Sequence, residues 1–401
     1  MAHVPLPRGS PGTDSVKFPV ESERTDLLIV AGEASGDLHG ARLLAELRPL
    51  VPGLVPFGLG GEELAATGLD RLADSAEISV VGLTEAFKVL PRAREIFDLL
   101  LREVDRRRPR LAVLIDFPEF NLRLARALRE RGVPVVYYIS PQVWAWRRGR
   151  VKTIAERVGA MLVLFPFEVD FYRRHGVEVV HVGHPLVDEI PELPHLWDRG
   201  EPAGEPYQIA LLPGSRVSEV EALLPVMLET VRLLAEEVPV FARLVRASTV
   251  PRALLEEAVA LSGLPVRIVP AAERFEAVAS SHFALCASGT ATLEVGLLGT
   301  PMAVLYRLGS WTYLVGRLLV RLPYVSLVNL VLGREAVPEL LQAKAQPERV
   351  RDVALSILRD PGAVAAMRAD LSELRGRLGA KGASARAARE VAARLAAEVP
   401  A

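Results

Sequence analysis

The chain has 401 residues, of which 50% are apolar and 24% charged, enough material for two domains of ordinary size. Lys plus Arg number 48 against 49 Asp plus Glu, and a net charge of −1 argues against a protein that lives on nucleic-acid phosphates. The single cysteine, Cys286, excludes an internal disulfide framework and every multi-cysteine metal site, and it fits a reducing compartment.

Residues 1–25 carry Pro, Gly and Ser without an apolar run, so they read as a disordered arm or an expression remnant rather than a signal peptide or anchor. No stretch reaches the ~18 consecutive apolar residues of a spanning helix. From Asp26 onward, short β-branched runs alternate with helix-patterned segments, which predicts strands at 27–31, 55–59, 111–115, 133–138, 161–164 and 177–181. A Pro- and Glu-rich segment follows His184, and the pattern restarts with strands at 209–212, 241–245, 266–269, 283–286 and 302–306. This alternation predicts an α/β chain with two doubly wound parallel sheets facing a cleft. The domains are expected at 26–190 and 207–380, with a linker at 191–206 and an Ala- and Arg-rich helix at 381–401 whose packing partner is not predicted.

The first strand runs into Gly32-Glu33-Ala34-Ser35-Gly36-Asp37 and then Gly40. Four-residue glycine spacing is not the G-x-G-x-x-G fingerprint, so a Rossmann dehydrogenase is disfavoured. Glu33 and Asp37 suit hydroxyl recognition, while a glycine-lined helix packed on the sheet is the structural alternative. Asp116 ends the apolar strand at 111–115 and is the best general-base candidate, although a strand-end Asp also caps helices; Glu119 is the second acid of that turn. The segment 138–148 joins Trp144 and Trp146 to Arg147 and Arg148, and it is expected to pack at the cleft wall rather than to stack bases. His181 and His184 imitate a metal spacing without a third ligand, so no metal site is expected.

In the second half, Gly214-Ser215-Arg216 leads from a strand into a helix near Val217 with Glu219 in its first turn, a place for an anion beside a planar cation; an ordinary strand-to-helix turn is the alternative. Gly-Lys-Ser/Thr does not follow, so this is not a Walker loop. A second corner, Ser288-Gly289-Thr290, opens another helix, with Glu294 one turn in, where a carboxylate accepts ribose hydroxyls or simply complements the helix dipole. Two such corners in one half point to a nucleotide there. Asp-x-Asp is absent, so charge neutralisation falls to Arg216 and helix ends. The segment 309–322 is strongly apolar, with Trp311, Tyr313, Leu314 and Leu318 beside Arg317 and Arg321; it reads as an interfacial helix or a half-buried one.

Together the strings AGEASGDLHGA, VVGLTEAF, IDFPEFN, YYISPQVWAWR, PFE with VGHPLVD, LLPGSRVSEV, SGTATLE and YVSLVNL with VPELLQ resemble the lipid A disaccharide synthases, inverting glycosyltransferases of GT-B type. The resemblance spans almost all of 26–380. It implies transfer of 2,3-diacylglucosamine from its UDP derivative to the 6-hydroxyl of 2,3-diacylglucosamine 1-phosphate (lipid X), giving a β-1,6 disaccharide and UDP. It implies no metal or other cofactor, and work at the inner face of the inner membrane on the cytoplasmic side; a homodimer is left open. By motif, Asp116 is the base and Arg216 holds the diphosphate. Gly214, Ser215, Glu219, Ser288, Gly289, Thr290 and Glu294 surround the nucleotide. Glu33, Ser35, Gly36, Asp37, Glu85, Glu119, Asn121 and Asn329 fall on the acceptor side of the cleft, and 311–322 on the membrane side. Two positions depart from the family pattern: Glu119 replaces the usual Asp, and Val328 the usual Pro. A related GT-B transferase or UDP-sugar epimerase with another sugar or acceptor, and a nucleotide-binding module without turnover, are the alternatives.

Overall fold

A computed structural model of the chain describes residues 25–79, 83–144, 149–191, 193, 206–307 and 323–397, with side chains from 26 onward except at 83–88. The first sheet has seven parallel strands: β1 (Thr25–Ala31), β2 (Leu54–Gly60), β3 (Asp70–Asp74), β4 (Leu111–Ile115), β5 (Val135–Tyr138), β6 (Ala160–Val163) and β7 (Val179–His181). Their order is β3-β2-β1-β4-β5-β6-β7. The second sheet has six: β8 (Tyr207–Leu212), β9 (Val240–Val245), β10 (Val266–Val269), β11 (Phe283–Ala287), β12 (Met302–Tyr306) and β13 (Glu339–Leu341), ordered β10-β9-β8-β11-β12-β13. The continuous apolar runs seen in the sequence become strands buried on both faces, as parallel sheets require. Two edge strands escaped prediction: β3 reads DRLAD and β13 only ELL, neither with an apolar run.

Each sheet reverses its winding once, between β1 and β4 in the first and between β8 and β11 in the second. Ligands of such sheets sit at the carboxyl ends of the strands beside that reversal. The corners after β1, β4, β8 and β11 are Gly32–Glu33, Asp116–Phe117, Gly214–Arg216 and Ser288–Gly289. The four segments singled out from sequence therefore occupy the two switch points.

The terminal helix Ala383–Ala397, left without a partner by the sequence, returns to the first domain and packs against the helix Ala34–Leu47. Ala387, Ala388, Val391 and Leu395 are buried along it. Its N-terminal amides at Gly382 and Ala383 donate to the Asp188 carboxylate at 2.5 and 3.1 Å, and Arg386 Nε donates to the Val182 carbonyl at 2.8 Å. One apolar core runs from the inner face of the first sheet through Leu186, Val187 and Ile190 into the second domain. Among the described residues no helix is long and apolar enough to cross a membrane.

Asp188 is exposed yet supplies both amides of the returning helix with an acceptor. Asp188→Ala is expected to lower stability by about 1 kcal/mol, the worth of a helix cap. The first transition in a urea titration followed by circular dichroism would show it, and an unchanged midpoint would mean that the helix is held by its apolar face alone.

Candidate active site

Asp116 and Phe117 both take left-handed backbone angles, φ 44° and 49°, a conformation most side chains avoid. Their surroundings compel it. The Asp116 carbonyl accepts from the Asn121 amide at 2.8 Å and from the Tyr137 hydroxyl at 2.5 Å, and Asp116 N donates to the Tyr138 carbonyl at 3.0 Å. The Phe117 ring fills the space beside Gly32, where a Cβ would lie 2.2 Å from a ring carbon. The corner thus turns the Asp116 side chain into a cavity of about 640 Å³ shared with Glu33, Ser35, Gly36, His39 and Glu119. Burial, reinforced by the Glu33 charge, pushes the Asp116 carboxyl up to about 6, against a small opposing effect of the Phe117 N–H.

Arg216 and Thr290, from the second domain, also line this cavity. Both line a second cavity of about 500 Å³ as well, whose walls include Gly214, Ser215, Glu219, Arg246, Arg274, Ser288, Gly289 and Glu294. The two spaces meet at Arg216 and Thr290, making one cleft with an acidic end and a cationic hinge. Gly214, at φ 120°, lets the Glu219 side chain close over the loop, since a Cβ there would sit 2.5 Å from Glu219 Oε2. Glu219 Oε2 accepts from the Ser215 and Arg216 amides at 3.2 and 3.4 Å, and Oε1 pairs with Arg216 Nη1 at 3.1 Å. The anion place expected at this loop is therefore filled by the chain's own carboxylate. Glu294 faces Arg274 at 3.6 Å, and burial raises its pKa. Gly289, at φ 145°, opens the helix Thr290–Leu297, while Ser288 Oγ donates to the Val325 carbonyl at 3.1 Å and so ties down a neighbouring loop.

Three residues expected on the cleft lie behind it instead. Asp37 is buried and its carboxylate accepts from the amides of Gly61, Glu63 and Leu64 at 2.7, 2.9 and 3.2 Å, capping the helix Glu62–Ala66. Asn121 is the buried clamp on the Asp116 carbonyl. Asn329 spends its side chain on Val337 O, Glu339 Oε1 and the amides of Ala336 and Val337, all at 2.8 to 3.0 Å, which leaves no donor or acceptor for a ligand. Gly40 follows the packing alternative, with a Cβ there meeting Ile115 at 2.9 Å. Val328 is wholly buried in the first turn of the helix Leu327–Leu332, where an amide has no intrahelical acceptor, so Val and Pro both suit the position. Glu119 pairs with Arg150 at 2.7 Å. The Glu85 side chain, residues 145–148, and Trp311, Tyr313, Leu314, Arg317, Leu318 and Arg321 lie outside the described residues.

The sequence reading missed Glu168. It is wholly buried against the cleft wall, accepts from Trp144 Nε1 and the Phe165 amide at 3.1 Å each, and is pushed up to about 7 by burial. It fixes Trp144 and, through Ser140, the loop after β5. His39 and His184 also line the cavity, both depressed by burial and so uncharged; His184 Nδ1 accepts from the Leu186 amide at 3.2 Å. His181 Nε2 donates to Leu164 O at 3.1 Å, so both rings of the metal-like spacing have backbone partners. No group of His, Cys, Asp and Glu among the described residues is placed to hold a metal.

Two parallel-sheet domains whose switch-point cavities merge at Arg216 and Thr290 have the GT-B architecture. The fold is shared with the crystal structure of MurG from Acinetobacter baumannii, TM-score 0.59 at 13% identity over 92% of this chain and 99% of that one. It is shared equally with a putative UDP-N-acetylglucosamine 2-epimerase from Listeria monocytogenes, TM-score 0.57 at 12% identity over 86% and 91%. The lipid-A-disaccharide synthetase family model matches residues 27–393, and the chain belongs to that family. Lipid-A-disaccharide synthases from Anaeromyxobacter sp. strain K and Syntrophus aciditrophicus are 47% and 44% identical to it, over 91% and 90% of this chain and 96% of each relative. At 12% identity the likeness to the epimerase shows the fold alone, whereas these relatives are 44% and 47% identical over nearly the whole sequence.

Replacing Asp37 tests its reassignment. Asp37→Ala leaves buried amides without an acceptor and is expected to cost about 2 kcal/mol of stability, with kcat per folded molecule nearly kept. A folded, equally stable variant with a raised acceptor KM would return Asp37 to the cleft.

Proposed function

We propose that this chain joins 2,3-diacylglucosamine from its UDP derivative to the 6-hydroxyl of 2,3-diacylglucosamine 1-phosphate, forming the β-1,6-linked disaccharide of lipid A and releasing UDP. The observation that carries this reading is a single cleft in which a buried, near-neutral carboxyl at one switch point shares its cavity with the cation of the other. Asp116 takes the proton of the acceptor hydroxyl as its oxygen attacks the anomeric carbon. The new C–O bond forms as the bond to the diphosphate breaks on the opposite face, so the anomeric configuration inverts.

The leaving diphosphate gains charge beside Arg216 and the starts of the helices Val217–Ala235 and Thr290–Leu297, which border that space. Glu219 cedes the Ser215 and Arg216 amides to phosphate oxygens, and Glu294 accepts the ribose hydroxyls. The UDP-sugar is substrate rather than cofactor, and no metal is assigned a role. Positioning of two reactants across the cleft supplies much of the acceleration. Both substrates carry acyl chains, which suits work at a membrane surface, and the apolar segment 311–322 is the candidate contact by its sequence.

Since a general base must be ionised, log(kcat/KM) is expected to rise with pH and level off above about 6, following the raised Asp116 carboxyl. Asp116→Asn should lose roughly 10²-fold in kcat/KM together with that acidic limb, and Arg216→Ala a similar factor in kcat. Disaccharide and UDP release, measured in detergent by mass spectrometry between pH 5 and 9, check both. A limb retained by Asp116→Asn would remove Asp116 from the role of base.

A further inference from the structure

The acceptor proposed above carries a phosphate at its anomeric carbon, and the acceptor cavity must receive that dianion among carboxylates. Glu33, Asp116, Glu119 and Glu168 all line it, and its histidines are uncharged. Among its described lining residues only Arg150 and Arg216 are permanent cations. Arg216 borders the donor cavity as well and is engaged with the leaving group. Arg150 borders the acceptor side alone, with a side chain 28% exposed.

We propose that Arg150 is the receptor for the acceptor's phosphate, and that Glu119 is the internal carboxylate which this phosphate displaces. This rests on the acceptor reading above. Three observations carry it. Arg150 opens the helix Arg150–Arg157 in a cavity wall, so its fork is presented to the cavity beside the positive end of a helix. Its present partner is monovalent and 62% exposed, and such an ion pair yields readily to a phosphate that offers a second charge and a bidentate face. Glu119 stands three residues after Asp116, in the first turn of the helix Pro118–Glu130, and both line the cavity that Arg150 borders. The acceptor's 6-hydroxyl at Asp116 and its anomeric phosphate at Arg150 would then share one cavity. Glu119 thereby gains a part that its position beside the base did not indicate: it balances Arg150 and deters acceptors without the anion.

The test pairs a substrate change with a residue change in the purified full chain. Acceptors are 2,3-diacylglucosamine 1-phosphate and 2,3-diacylglucosamine itself, with the same UDP-sugar donor. For the wild type, removing the phosphate is expected to cost at least about tenfold in kcat/KM, the scale of a lost charge-assisted contact. Arg150→Ala should lose a similar factor with the phosphorylated acceptor, through acceptor KM and with donor KM kept, and should barely distinguish the two acceptors. Arg150→Lys, which keeps the charge without the fork, should retain part of the discrimination, and Glu119→Gln should lower KM for the phosphorylated acceptor. An Arg150→Ala or Arg150→Lys enzyme that discriminates as fully as the wild type in the first case, or not at all in the second, would overturn the assignment while disaccharide formation stands. No disaccharide from the wild type with either acceptor would overturn the reading of the activity and this inference with it.

Discussion

The acceptor half of the cleft depends on one strained corner. Two successive non-glycine residues, Asp116 and Phe117, sit in the left-handed region, at a cost on the order of 1 kcal/mol or more each. Nothing local favours this; the clamp comes from three other elements. Asn121 reaches back from the following helix, Tyr137 reaches across from β5, and Gly32 leaves room for the Phe117 ring at the end of β1. Between them they hold the carbonyl and the ring on which the turn relies, and so the direction of the Asp116 carboxyl.

The same corner sets the protonation behaviour of that carboxyl. A carboxylate at the start of a helix is ordinarily stabilised by the first free amides. Here the helix Pro118–Glu130 opens on proline, which has no amide proton, and its cap is Phe117 rather than Asp116. The Phe117 N–H alone opposes burial and the Glu33 charge, so desolvation prevails and the group titrates near 6. The second domain uses the same strand-to-helix geometry with the opposite charge. Arg216, a cation at a helix start, is unfavourable by itself, and Glu219 relieves it by taking the free amides and pairing with the guanidinium.

Much of this was legible in the chain. The eleven apolar strands and the four corners at the switch points follow from runs, turns and periodicity. The two missed strands lie at sheet edges: β3 is charged and β13 is three residues long, so neither carries an apolar signal. The misplaced site residues fail for a different reason. Asp37 and Asn329 look like polar residues at the mouth of a fold because sequence spacing shows which turn a residue is on but not which remote amides it meets. For Asp37 those amides begin 24 residues further along the chain. Glu168 is the converse case: in PFE it reads as a helix-start acid, and only the arrival of Trp144 above it reveals a buried hub.

The charge pattern across the cleft follows from these facts. A site that must receive two anionic lipids needs cations, yet unpaired cations in a partly desolvated space are costly, and three of the four arginines among its described lining residues sit beside a carboxylate, while the fourth, Arg246, donates to the Val250 carbonyl. Arg216 has Glu219, Arg150 has Glu119, and Arg274 has Glu294. Each pairing is three residues long or crosses one cavity wall, short enough to hold without substrate and exposed enough to give way. The base is the exception. Asp116 has no cationic partner among its charge neighbours, so burial and the like charge of Glu33 meet no opposing cation and keep its carboxyl basic enough to accept a proton.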